Sequence, residues 1–280
     1  MSSALNGNNR AQVLVEALPY IKRFHGQTVV VKLGGHAMEE AKEETLLDIV
    51  LLRYVGMLPV LVHGGGAEIT SMSERLGLKA EFRHGLRVTD EQTIEVVKMV
   101  LTGKINPDLV GSINRLGGQA VGMSGEDGPS IIAEPLDPEL GYVGRVTQVN
   151  PEPIEALIGR GYIPVIASIG LGYDGNAYNI NADTVAAEIA VALNAAKLIL
   201  LTDVPGVMDA GGAVIGELPA QRARDMVAGG QASGGMIPKL EACLRALDSV
   251  PYAHIIDGRT PHSLLLELFT EAGIGTMVTP

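Results

Sequence analysis

The run Thr28-Val29-Val30-Val31-Lys32-Leu33, closed by Gly34 and Gly35, constrains the fold more than any other stretch of this chain. Three consecutive valines between glycines predict a short strand buried on both faces, as in a parallel sheet. A lone buried ammonium is costly to desolvate, so Lys32 is out of place in such a core. Where the strand opens into a glycine turn, however, the lysine can face a crevice. The alternative is a surface lysine whose stem covers apolar neighbours.

The order of strand, glycine turn and helix then recurs. A helix is predicted over 38–55 and an apolar strand over 58–62, followed by the turn His63-Gly64-Gly65-Gly66 and a helix over 69–76. Two such turns predict parallel strands with crossover helices, a sheet that binds ligands beyond the carboxyl ends of its strands. Further buried strands are expected at 162–169, 197–201, 253–256 and 275–278, and a hairpin near the crevice mouth at 81–88. Short strands at 119–122, 130–133 and 143–149 suit an antiparallel excursion at the sheet edge. The turn cluster at 170–177 marks a lobe boundary. Ahead of the first strand, Leu14, Leu18 and Ile21 form one helical stripe with Pro19 inside it, which predicts a kinked helix. That stripe needs a surface to pack on, either in its own subunit or in a partner. The division expected is an oligomerisation helix at 1–25, a substrate lobe at 26–175 and a nucleotide-binding lobe at 176–280.

Composition narrows the function. A formal charge of −11 argues against nucleic acid or anionic membrane as a general partner. Any positive site must therefore be local. Aromatic residues are only 4% and tryptophan is absent, which disfavours a base-stacking surface. No stretch approaches the roughly 20 apolar residues of a membrane span. The first ten residues lack an apolar core, so no secretory signal is expected and the cytoplasm is the default. The single cysteine, Cys243, lies on an apolar helical face and reads as a core residue.

Several polar groups fall in loops after predicted strands. Gly34, Gly35, Gly64, Gly65 and Gly66 allow backbone N–H groups to approach an anion at helix amino termini, although a glycine triplet alone is ordinary turn chemistry. Lys32 adds a fixed positive charge to the first turn. Neither turn matches the phosphate loop ending in Gly-Lys-Ser/Thr or the dinucleotide fingerprint. Arg87, in the hairpin, can grip a carboxylate with two donors or lie solvated on the surface. Asn179, Asn181 and Asp183 crowd one helix start, more polar groups than capping needs. Lys239 stands in the first turn of a helix, where the macrodipole disfavours a cation unless an anion also binds.

Taken together, Val-Val-Lys-Leu-Gly-Gly at 30–35, Val-His-Gly-Gly-Gly at 62–66, Gly-Leu-Arg-Val-Thr at 85–89, Asn-Ile-Asn-Ala-Asp at 179–183, Leu-Thr-Asp-Val-Pro-Gly-Val at 201–207 and Gly-Gly-Met-Ile-Pro-Lys at 234–239 resemble the amino-acid kinase family. The likeness is strongest to its branch acting on N-acetyl-L-glutamate and spans nearly the whole chain. It implies an α/β fold: a three-layer αβα sandwich with a central, mostly parallel sheet in two lobes. It also implies transfer of the ATP γ-phosphoryl group to the side-chain carboxylate of N-acetyl-L-glutamate, giving N-acetyl-L-glutamyl 5-phosphate and ADP in the second step of arginine biosynthesis. By the same resemblance Lys32 and Lys239 stabilise the transition state and Asp183 holds both lysines. Gly34, Gly35, Gly65 and Gly66 donate backbone N–H groups, and Arg87 and Asn179 bind the substrate carboxylate. Asp203, Gly206, Ser233, Gly234, Gly235 and Met236 belong to the nucleotide pocket, with Mg2+ on the ATP phosphates and no metal held by the protein. The chemistry is consistent with this: a carboxylate is already ionised at neutral pH, so the reaction needs alignment and charge balance rather than a general base.

The amino-terminal helix, His254 and the run at 264–276 resemble the arginine-inhibited hexameric branch. That likeness implies an L-arginine site at His254, Glu267 and Gly273, and a hexamer built as a trimer of dimers through the amino-terminal helices. Family analogy extends to a PII-type signalling partner, although no residue here carries that reading. The alternatives are a kinase for N-acetylaminoadipate or another amino acid on the same fold, since one methylene is worth only about 1–3 kcal/mol in a pocket, or a non-catalytic amino-acid or nucleotide sensor.

Overall fold

The computed structural model describes residues 7–34, 41–83, 85–270 and 273–280, with side chains from residue 11 onward. Helix α1 (Gly7–Phe24) runs through Pro19 and leads to β1 (Thr28–Leu33). Helix α2 (Lys42–Tyr54), β2 (Leu58–His63) and α3 (Gly66–Arg75) follow. The expected hairpin is β3 (Phe82–Arg83) against β4 (Leu86–Arg87). Helix α4 (Glu91–Val100), whose Asp90 cap accepts from the Thr93 amide at 2.8 Å, continues through a π-helical turn (Leu101–Ile105) into α5 (Asn106–Arg115).

After β5 (Ala120–Ser124), β6 (Ile131–Pro135) and β7 (Gly144–Val149) come α6 (Glu152–Gly159), β8 (Ile163–Ala167), β9 (Ile169–Gly172) and β10 (Ala177–Asn179). The chain ends with α7 (Ala182–Ala192), β11 (Lys197–Thr202), β12 (Glu217–Pro219), α8 (Ala220–Ala228), α9 (Met236–Ala246), β13 (Ala253–Asp257), α10 (Ser263–Phe269) and β14 (Thr276–Thr279). No described helix is long and apolar enough to cross a membrane.

Eight strands form the main sheet in the order β12-β14-β13-β11-β1-β2-β8-β5, parallel throughout except between β13 and β14. A second sheet, β10-β9-β6-β7, carries the excursion. The segment at 119–122 does not join it: β5 pairs in parallel with β8 and forms an edge of the main sheet. An edge strand covered on one side reads as mixed in sequence, which hides its membership of a parallel sheet. The turn cluster at 170–177 forms the β9–β10 hairpin.

Strand β1 lies in the middle of the main sheet and is buried on both faces. Val29, Val31 and Leu33 pack with Leu46 and Ile49 of α2, Val97 of α4 and Leu268 of α10, while Val30 packs with Val185 of α7 and Leu240 of α9. Each fully buried valine contributes about 1.5–3 kcal/mol by leaving water. Alternation along the strand therefore sends Lys32 to the α7–α9 face, one step beyond Val30. Strands β1, β2 and β11 run in register, so their carboxyl ends, with the loops that leave them, lie side by side. Helix α1 touches α10, and its Phe24 is buried, but Val13, Leu14, Val15 and Leu18 remain exposed on the single chain.

Candidate active site

Lys32 emerges from the end of β1 towards the amino termini of α7 and α9, which pack against each other. The cap of α7 is Asn181, whose side chain accepts from the amides of Asp183 at 2.8 Å and Thr184 at 3.3 Å. Capping is thus complete without Asp183, whose carboxylate is left to bridge the lysines. Its Oδ1 lies 2.7 Å from Lys32 Nζ and its Oδ2 2.9 Å from Lys239 Nζ. All three side chains are largely buried, at 9%, 4% and 14% exposure for Lys32, Asp183 and Lys239. Burial pushes the Asp183 pKa up, but Lys32 and Lys239 together outweigh it and hold the carboxyl below its ordinary value. Burial lowers the pKa of Lys32 despite the pull of Asp183. In direct ion-pair contacts two basic side chains thus share one carboxylate beside the strand ends.

Next to this triad lies a cavity of about 210 Å3, lined by Gly64, Gly65, Gly66, Arg87 and Asn179 and reaching Asn181 and Ala182, the residues before Asp183. Arg87 is fixed at its edge. Its Nη2 donates to the Gly66 carbonyl at 2.9 Å and to Thr70 Oγ1 at 2.6 Å, and its guanidinium lies 4.7 Å over the Phe82 ring. Its Nη1 is buried with no hydrogen-bond partner among the described residues. A rigid guanidinium with an unused donor suits an incoming carboxylate. Asn179 Nδ2 donates to Thr89 Oγ1 at 3.3 Å.

The glycines differ in what requires them. A Cβ on Gly34 would sit 2.6 Å from the Leu201 carbonyl, and one on Gly65 would strike Ile105 and Leu101 of the π turn. A Cβ on Gly66 would meet nothing, so the protein itself does not demand a glycine there. Gly35 lies outside the described residues.

The residues expected to hold a nucleotide are placed around the carboxyl end of β11 and the start of α9. Asp203 follows β11, accepts from Thr202 Oγ1 at 3.2 Å and is near enough for its charge to favour the Lys32 ammonium. Gly206, at φ +153°, leaves no room for a side chain: a Cβ would lie 2.7 Å from Thr276 Oγ1. Ser233, Gly234 and Gly235 form an exposed turn, with Gly234 at φ +53°, and Met236 opens α9. Lys239 stands three residues further on, on the inner side of the helix.

A separate cavity of about 420 Å3 gathers His254, Glu267 and Gly273 with Tyr20 and Arg23 of α1 and Lys197 of β11. Glu267 Oε1 lies 3.0 Å from Lys197 Nζ and 2.8 Å from His254 Nδ1, and its Oε2 accepts the Ile274 amide at 3.0 Å. Burial raises the Glu267 pKa, but His254 and Lys197 overcome it and bring it to about 2. Gly273, at φ +58°, lets the backbone pass: a Cβ would sit 2.8 Å from Glu267 Oε2. Lys197 was not legible as part of this cluster, because the first residue of an apolar strand carries no sign of its partner. His63, Asn106 and Thr70 were also missed, each being an ordinary residue of a turn or helix in sequence.

The amino acid kinase family model matches residues 27–257. The acetylglutamate kinase of Moorella thermoacetica is 53% identical over 285 residues, covering 96% of each chain. That of Caldanaerobacter subterraneus subsp. tengcongensis is 54% identical over 277 residues, covering 96% of this chain and 93% of the relative. Among solved structures, N-acetylglutamate synthase from Neisseria gonorrhoeae, complexed with coenzyme A and N-acetyl-glutamate, aligns with a TM-score of 0.84 at 26% identity. The alignment covers 96% of this chain but 63% of the synthase, so the present chain spans less than two thirds of that protein's length. With the family matched over most of its residues and two acetylglutamate kinases matched nearly end to end, this chain belongs to the amino acid kinase family.

Proposed function

We propose that this kinase transfers the γ-phosphoryl group of ATP to the side-chain carboxylate of N-acetyl-L-glutamate, the second step of arginine biosynthesis, in the cytoplasm. The observation that carries the reading is the Lys32–Asp183–Lys239 triad, two lysines fixed by one carboxylate at the end of a pocket with an unused guanidinium nitrogen. The acetylglutamate kinase relatives, at 53% and 54% identity, support the substrate.

In this reading Arg87 Nη1 and Asn179 receive the α-carboxylate and the amides of the two glycine turns steady the reacting anions. Lys32 and Lys239 balance charge on the transferring group, and Asp183 keeps them a fixed distance apart. Both anions are brought together without a proton being removed, so the protein's work is positioning and electrostatics. The turn at 233–236 and the backbone at Asp203 and Gly206 take the nucleotide. Mg2+ would accompany ATP on its phosphates and help neutralise their charge. Trapping the acyl phosphate with hydroxylamine tests this: N-acetyl-L-glutamate should give ATP-dependent product, well above N-acetylaminoadipate and aspartate. No product with N-acetyl-L-glutamate would overturn the reading.

The second cavity supports feedback inhibition by L-arginine, with Glu267 as the carboxylate for the guanidinium. The exposed apolar face of α1, Val13, Leu14, Val15 and Leu18, supports pairing of these helices between copies, as a hexamer of three dimers requires.

A further inference from the structure

His63 ends β2 directly before the glycine turn and is fully buried. Its Nδ1 lies 3.0 Å from the Gly64 carbonyl and its Nε2 3.0 Å from Asn106 Nδ2. The direction of these bonds follows from their surroundings. Asn106 Nδ2 also faces the Val165 carbonyl at 2.9 Å and the Met123 carbonyl at 3.5 Å, so the nitrogen rather than the oxygen of the amide must point this way. It therefore donates to His63 Nε2, and the ring proton resides on Nδ1, where it is donated to Gly64. Burial favours the neutral ring this requires, lowering the His63 pKa to about 4.

A trans peptide sets its C=O and N–H in opposite directions. With the Gly64 carbonyl held against the imidazole, the Gly65 N–H points away from it. Asn106 is delivered to this place by the π turn at Leu101–Ile105, a geometry frequent at functional sites. The same turn packs so closely on Gly65 that no side chain fits there. Gly122 in turn makes room for Asn106, since a Cβ on it would collide with the Asn106 amide oxygen.

We infer that His63 and Asn106 are positioning residues of the reaction: they lock the Gly64–Gly65 peptide so that the Gly65 N–H faces the acyl amino acid. The inference rests on the function proposed above. It separates the two nitrogens of His63 by their tasks. Asparagine at 63 can reproduce the Nδ1 donor, whereas glutamine reaches towards Asn106 and offers no donor to Gly64.

The test is the steady-state kinetics of wild type, His63→Asn, His63→Gln and Asn106→Leu, with N-acetyl-L-glutamate and ATP varied in turn. His63→Gln and Asn106→Leu are expected to lower kcat/KM for the acyl amino acid by roughly 10-fold, the scale of one hydrogen bond to a charged group. His63→Asn should recover to within about 2-fold of wild type, and the KM for ATP should not move in any variant. A merely structural role predicts the reverse order, with glutamine the better filler of the histidine's volume, or a parallel rise in the KM for ATP; either result overturns the inference. So does nitrogen NMR of the wild-type protein at neutral pH that finds the proton of His63 on Nε2, a readout independent of whether the variants fold. Wild type that turns over no acyl amino acid overturns the proposed function and this inference together, whereas wild-type activity with His63→Gln unaltered overturns the inference alone.

Discussion

Two buried carboxylates in this molecule each sit among basic side chains, and they differ in how many lysines each one binds. Asp183 lies between two lysines, Lys32 and Lys239. Glu267 faces one lysine, Lys197, together with His254 and the Ile274 amide. Burial and Lys197 lower the His254 pKa against the pull of Glu267, which favours a neutral ring at neutral pH. In direct ion-pair contacts the first cluster therefore has two lysines on one carboxylate and the second one lysine on one carboxylate, while Asp203 lies near the first and Arg23 near the second. A lysine that shares its carboxylate can still attract an anion, whereas a one-to-one pair can exchange one cation for another. In the function proposed above, the same carboxylate-lysine chemistry would serve phosphoryl transfer in one place and recognition of the arginine guanidinium in the other.

Removing a lysine from the first cluster should cost the most. Lys32→Ala and Lys239→Ala are each expected to lower kcat by about 10²–10³-fold, the cost of losing one preorganised transition-state donor, as read in the acyl-phosphate assay. Asp183→Asn removes the bridging negative charge and keeps both lysines. It leaves two ammonium groups facing each other, and a fall in kcat on the order of 10²-fold is expected from lost placement. In the second cluster Glu267→Gln should raise the arginine concentration for half-inhibition by about 10-fold or more, because a charge-assisted bond to the guanidinium is lost; titration of activity with L-arginine measures it.

The smallest effect is on acid stability. The Glu267 pKa falls from 4.5 unfolded to about 2 folded. The unfolded chain binds the proton first, so the contribution of Glu267 is complete above pH 4.5 and fades as pH falls towards 2. Denaturant unfolding across that window should show a shallower loss in Glu267→Gln than in wild type.

The buried strand, its lysine and the parallel sheet were legible because valine runs and glycine turns are local signals. Asp183 was legible for a similar reason: three polar groups at one helix start exceed what a cap uses, and Asn181 is the one that caps. Lys239 stood out as a cation at the wrong end of a helix. The remainder depended on contacts between distant segments. Thr70 meets Arg87 across 17 positions, Asn106 meets His63 across 43, and Lys197 meets Glu267 across 70, and no periodicity encodes such pairs. The π turn was also invisible, since its five residues, Leu-Thr-Gly-Lys-Ile, carry no helix-breaking signal beyond one glycine. The parallel pairing of β5 in the main sheet was not legible, because pairing, not composition, decides which sheet a short strand joins.

In the mechanism proposed above, Lys239 acts on the transition state while Asp183 holds it in place. The most direct measurement is kcat at saturating substrates for Lys239→Ala beside the affinity of the same variant for a non-hydrolysable ATP analogue. The expected result is a fall in kcat by about 10²–10³-fold with nucleotide affinity within a few-fold of wild type. A variant whose affinity falls by that factor, with kcat at saturation near the wild-type value, would contradict it.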